Sequence, residues 1–96
     1  MLELRPSCEH CNRDLPPAST EAMICSFECT WCVDCARGVL QGVCPNCGGG
    51  LYPRPVRPQA KLATRPAATE RKHKPVDPEK HAAFAAAIRD VPAHLR

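Results

Sequence analysis

The sequence predicts a small metal-stabilised domain with little regular secondary structure, a short hairpin and one short helix, continued by a disordered tail and a short C-terminal helix. Three observations carry this expectation. All eight cysteines fall between Cys8 and Cys47, in four close pairs. The same stretch is poor in large apolar residues, with Phe27 and Trp31 its only large rings. After Gly48-Gly49-Gly50 the chain turns basic and proline-rich and contains no cysteine.

A chain of 96 residues has room for one domain at most, and so small a core is marginal without an added staple. Metal and disulfides are the two candidates. Disulfides need an oxidising compartment and normally a secretory signal. The segment Met1-Leu2-Glu3-Leu4-Arg5-Pro6-Ser7-Cys8 has no basic stretch followed by an apolar run, and no apolar stretch is long enough to cross a bilayer. A soluble, cytoplasmic protein without a membrane role is therefore expected, with its thiols serving as metal ligands.

The spacing is Cys8-x2-Cys11, Cys25-x3-Cys29-x2-Cys32-x2-Cys35 and Cys44-Pro45-Asn46-Cys47. Two thiolates on one such turn reach the same tetrahedral ion at about 2.3 Å, and two pairs complete a closed site. Eight cysteines thus make two sites with none left over. Sequential and interleaved pairing use the same residues, and spacing favours interleaving because only that version ties every segment to the others. Cys8, Cys11, Cys32 and Cys35 then hold one Zn²⁺, and Cys25, Cys29, Cys44 and Cys47 hold the second.

The order of pairs, the short gap between the second and third, and the closing Cys44-Pro45-Asn46-Cys47 resemble the RING-type cross-brace family. That resemblance implies a RING-like or treble-clef-type two-zinc module over residues 1–50. Val33 to Gln41 reads as its helix, with Ala36, Val39 and Leu40 on one side and Gly42 as the stop signal. Phe27 and Trp31, beside Cys29 and Cys32, are expected to shield thiolates and fill the core. Gly48 and Gly49 would let the backbone curl so that amides face sulfur.

A second resemblance rests on Met1 through Pro6, Asp14-Leu15-Pro16-Pro17, Ile24 through Cys29 and Gly42 through Gly49. These segments look like a bacterial family catalogued as domain of unknown function 1272, whose members are short and cysteine-rich. It implies a bacterial cytoplasmic protein and metal binding, and carries no activity with it.

Iron is the alternative metal, since Cys29-x2-Cys32-x2-Cys35 begins like a bacterial ferredoxin run. The next ligand of that run should stand at Val39, and Cys44-Pro45 comes five residues too late. An iron-sulfur or rubredoxin-like electron carrier remains an alternative because four thiolates also suit iron. His10, His73, His81 and His94 form no spaced set and read as solvated side chains.

Two closed four-cysteine sites leave no coordination position for substrate, so no enzyme is expected. Asp14, Glu21, Glu28 and Asp34 read as a solvated acidic surface. RING modules that serve ubiquitin transfer carry an apolar residue inside the first pair, a Trp between the third and fourth pairs and a basic residue past the last ligand. Here Glu9-His10, a Trp-free Ala36 to Val43, and Gly48 stand there, and only Pro45 matches.

Residues 1–50 carry three Lys/Arg against six Asp/Glu, whereas residues 51–96 carry ten against four. The tail could lean on its own module. Residues 51–76, with Arg54, Arg57, Lys61, Arg65, Arg71, Lys72 and Lys74 among prolines, are expected to be a disordered basic linker. Its charge would attract nucleic acid in a salt-dependent way. Asp77-Pro78-Glu79 is a helix start, and Phe84, Ile88 and Val91 lie on one face until Pro92, giving a short amphipathic helix over 77–92 and a tail over 93–96. The leading expectation is a non-catalytic module with a protein partner, and nucleic-acid binding through the arm is the alternative.

Overall fold

The computed structural model describes all 96 residues. Strand β1 (Ala22–Ile24) turns through the Cys25–Cys29 loop into β2 (Thr30–Cys32), with Met23 opposite Trp31. Helix α1 (Val33–Arg37) follows directly. A two-residue strand β3 (Tyr52–Pro53) pairs antiparallel with the other edge of β1, so the sheet order is β2-β1-β3. One helical turn, α2 (Gln59–Leu62), and helix α3 (Pro78–Ile88) follow, and a 3₁₀ turn at Ala93–Leu95 closes the chain.

The core gathers Trp31, Leu15, Leu40, Ala36 and Met23, and five of its twelve buried residues are cysteines. So large a sulfur share means that apolar burial alone is a weak source of stability here. Trp31 is 1 % exposed, in keeping with a core role. Phe27 departs from the shielding role expected of it: it is 70 % exposed at the hairpin tip. Glu28, with φ 65°, turns the backbone there, and Glu28 N–H donates to Cys25 O at 3.0 Å, leaving Phe27 on the outside of a tight turn.

The helix expected from Val33 to Gln41 ends at Arg37. Gly38 N–H still reaches Asp34 O at 2.9 Å, but a Cβ at position 38 would meet that carbonyl at 2.8 Å, so only glycine fits. The chain then unwinds through Gln41 and Gly42, both at positive φ, with Leu40 N–H on Cys35 O and Gly42 N–H on Ala36 O. These wider bonds satisfy the carbonyls that the helix end exposes.

The boundary at Gly50 also moves. β3 belongs to the sheet, and Arg54, only 5 % exposed, sends its guanidinium to Arg5 O (2.8 Å), Leu15 O (3.2 Å) and Pro16 O (3.0 Å). Arg57 donates to Leu2 O at 2.6 Å. Residues 51–57 are thus part of the module's construction rather than the start of a free arm.

Residues 58–76 have little regular structure, yet they lie along the module instead of extending away from it. Ala68 N–H donates to Glu3 O, Lys74 N–H to Glu9 O, and Arg71 to Asp14 and to the Asn12 carbonyl. The opposite charges of the two halves meet at the Arg71–Asp14 pair. Asp77 caps α3 through Oδ1, which accepts from the amides of Glu79 and Lys80 at 3.0 and 3.2 Å.

Helix α3 ends at Ile88, short of the expected Pro92, so that Val91, 36 % exposed, lies beyond it; the helix's buried residues are His81 and Ala85, whereas Phe84 is 43 % exposed. His81 also departs from the solvated histidine expected: it is 3 % exposed and its Nε2 meets Leu40 O at 2.7 Å. That hydrogen bond ties the helix to the turn that follows α1. No helix of the chain is long and apolar enough to cross a membrane.

Candidate metal centres

The first and fourth cysteine pairs sit on knuckles of the same design. Cys8 N–H donates to Arg13 O and Cys44 N–H to Gly49 O, both at 2.9 Å, while Asn12 N–H and Gly48 N–H return to the carbonyls of Cys8 and Cys44. Single bridges, Ser7 with Asp14 and Val43 with Gly50, close the two loops. The second pair brackets the tip of the β1–β2 hairpin, and the third pair straddles the junction of β2 and α1.

This topology brings the first pair to the third. The Sγ atoms of Cys8, Cys11, Cys32 and Cys35 all lie within 4.8 Å of one another. Four sulfurs at about 2.3 Å from one tetrahedral ion stand about 3.8 Å apart. Cys11 Sγ and Cys32 Sγ are separated by 3.8 Å, so this donor set fits a tetrahedral thiolate-bound metal. Cys8 and Cys32 are buried, Cys35 is half-buried and Cys11 is exposed.

The second cluster draws on the second and fourth pairs. Cys25, Cys44 and Cys47 have their Sγ atoms within 4.8 Å of one another, whereas Cys29 stands outside that group. Cys29 Sγ instead accepts a hydrogen bond from Asn46 Nδ2 at 3.4 Å. The cysteines therefore group in the interleaved manner, fully in one cluster and by three of four sulfurs in the other.

The thiols respond to this crowding. Burial first, then the neighbouring sulfurs of Cys32, Cys8 and Cys11, pushes the Cys35 thiol far up from its ordinary value, and Cys11 is also raised, chiefly by burial. Cys44 is pushed up by burial and by the Cys29 and Cys25 sulfurs, against the pull of the Cys47 and Asn46 amides. At Cys8 burial acts upward, but the amides of Cys11, Cys32 and His10 outweigh it and the thiol is lowered. Such amides favour a thiolate and would raise the affinity of the sulfur for a cation. A divalent ion would relieve the mutual repulsion of the remaining sulfurs.

Several supporting residues carry no signal in the cysteine pattern. Glu9, buried inside the first pair, accepts from Thr30 N–H at 2.6 Å and from Arg5 at 3.1 Å, fixing the first knuckle to β2. His10 is half-buried rather than free, and its Nδ1 accepts from Val76 N–H at 2.9 Å. Asn46 and Arg54 act through side chains whose partners lie far away in sequence, so only the fold reveals them. Gly49 N–H does face Cys47 Sγ, at 3.4 Å.

An uncharacterized protein of Rhizobium meliloti (strain 1021) is 61% identical over 75 residues, covering 78% of this chain and 89% of that protein. The aligned stretch is too long to lie within residues 1–57, so the similarity runs into the arm. No solved structure matches the chain. A family model described as "Protein of unknown function (DUF1272)" matches residues 1–57, which ends where Arg57 ties the chain to Leu2, and this protein belongs to that family.

Proposed function

We propose that the protein is a non-catalytic structural module of RING-like, treble-clef type that binds two Zn²⁺ and mediates protein–protein interaction in the cytoplasm. The observation that carries the metal reading is the gathering of Cys8, Cys11, Cys32 and Cys35, from segments far apart in sequence, with all four Sγ atoms within 4.8 Å of one another. Zinc suits closed sites of four thiolates and supplies folding energy to modules with thin cores. A closed thiolate set offers no open position for substrate, which supports a structural rather than an enzymatic role.

Protein is favoured over nucleic acid as the partner because much of the arm's charge is already committed. Arg54, Arg57, Arg71, Arg89 and Arg96 all donate to groups of the chain itself. Fewer cations are then free to release counterions from a phosphate backbone. A ubiquitin-transfer role is disfavoured further by the packing of Val76 on His10 and of His81 on Leu40.

Elemental mass spectrometry on protein purified without added metal, with a visible spectrum beside it, tests the metal reading. Two zinc ions per chain and no colour are expected; iron with a visible band would replace the reading by an electron carrier. A salt titration against RNA and DNA tests the partner class, and tight binding that weakens steeply with salt would favour the arm as a nucleic-acid contact.

A further inference from the structure

Resting on the two-zinc reading, we infer that the C-terminal strap, Phe84 to Arg96, guards the second cysteine cluster alone and sets how readily that site exchanges its metal. The strap lies on the knuckle that carries Cys47. Arg96 is its clip: Nη1 donates to Gly48 O at 2.9 Å, Nε to Val91 O at 2.9 Å and Nη2 to Arg89 O at 3.4 Å. One guanidinium thus joins the knuckle, the end of α3 and the closing turn.

Gly48 is pressed against the same strap. A Cβ there would meet Ile88 Cδ1 at 3.2 Å and the Phe84 ring at 3.4 Å. Beside this contact, a cavity of about 300 Å³ separates Cys47 and Gly49 from Phe84, Ala93 and Arg96. On the other flank a groove of about 770 Å³ runs between Cys25 and the Pro92–His94 segment. Both spaces open onto candidate ligands of the second cluster, and in both the opposite wall is the strap.

The strap is lightly anchored. Phe84 and Leu95 are 43 % and 66 % exposed, and His81 and Ala85 are the only buried residues of α3. Segments with few buried apolar contacts open at low free-energy cost, well below global unfolding. Its release would leave the first cluster undisturbed, because that knuckle is held by Arg71, His73 and Val76, which precede α3.

The second cluster is also the one prepared for exchange. Three of its sulfurs are grouped, and the fourth, Cys29, is held by Asn46 of the very knuckle that the strap covers. Moving that knuckle shifts Cys44, Cys47 and the partner of Cys29 together. The first cluster has all four sulfurs in place.

The test uses the full chain loaded with cadmium, which gives each site its own NMR resonance, challenged with a chelator. In wild-type protein the second site is expected to lose metal first. Arg96→Ala should speed that loss roughly tenfold, the effect of removing one or two net hydrogen bonds, and leave the first site unchanged. Ile88→Ala should act in the same direction, while Arg96→Lys, which keeps one donor, should recover part of the protection. Equal acceleration at both sites, or no change at the second, overturns the inference. A chain that takes up no metal at all would instead defeat the two-zinc reading on which it rests.

Discussion

Asn12 and Gly48 hold the same place in two knuckles built alike: each follows the second cysteine of its pair, each adopts positive φ (65° and 77°), and each returns its N–H to the first cysteine's carbonyl. The left-handed conformation is open to glycine and tolerated by asparagine, and it penalises other side chains.

Asn12→Gly should therefore leave stability nearly unchanged, whereas Asn12→Val should cost about 1–2 kcal/mol. Gly48→Ala should cost more than the same backbone penalty, because its Cβ would also press on Ile88 and Phe84. Denaturant unfolding of the metal-loaded protein orders the three variants, and a Gly48→Ala no weaker than wild type would contradict the packing described.

Metal removal should unfold the module. Five cysteines among twelve core residues leave little apolar burial to replace the metal, whose binding contributes on the order of 10–16 kcal/mol in comparable small domains. Trp31, the chain's only tryptophan, is a built-in reporter at 1 % exposure. A chelator should shift its emission to the red and collapse the amide NMR spectrum, and Cys32→Ser should do so without chelator.

The raised thiols fix the sign of the pH dependence. A thiol raised above its ordinary 9.0 holds its proton more tightly in the folded arrangement than in the unfolded chain, a contribution complete below 9.0 and lost as pH rises through the folded value. Metal binding runs the other way, since the ion must displace those protons from Cys11, Cys35 and Cys44. Affinity should fall at least about tenfold for each unit of pH lowered from about 7. Competition with a chromophoric chelator at several pH values reads this directly, and a flat profile would mean that the thiols do not bind the ion.

The cysteine clusters and the short hairpin were legible in the sequence because ligand spacing is a local property: a gap of two or three residues forces a turn wherever it occurs. Arg54 was illegible for the opposite reason. Its Pro53-Arg54-Pro55 context reads as a solvated basic linker, and the three carbonyls that bury it come from Arg5, Leu15 and Pro16. The burial of His81 is illegible for the same reason, since its partner Leu40 belongs to a turn that helix periodicity reads as a continuation of α1. The exposure of Phe27 has no mark in the sequence, because nothing local to an aromatic beside a cysteine says which side of the knuckle it takes.

Arg54 therefore gives the sharpest test of where the module ends. Its guanidinium is buried without a carboxylate, and burial lowers its pKa from the ordinary value. The charge is tolerated because three carbonyl oxygens accept from it. Arg54→Ala would leave those carbonyls without their donor in a poorly hydrated place, a loss of about 2–4 kcal/mol at one to two hydrogen bonds to a charged group. Arg54→Lys should recover little, because one ammonium cannot span carbonyls at both Arg5 and Leu15. By the same reasoning residues 1–50 with zinc should give a poorly dispersed spectrum, and residues 1–57 with zinc a dispersed one. If the shorter piece folds as well as the longer, β3 and Arg54 are accessories and the module does end at the glycines.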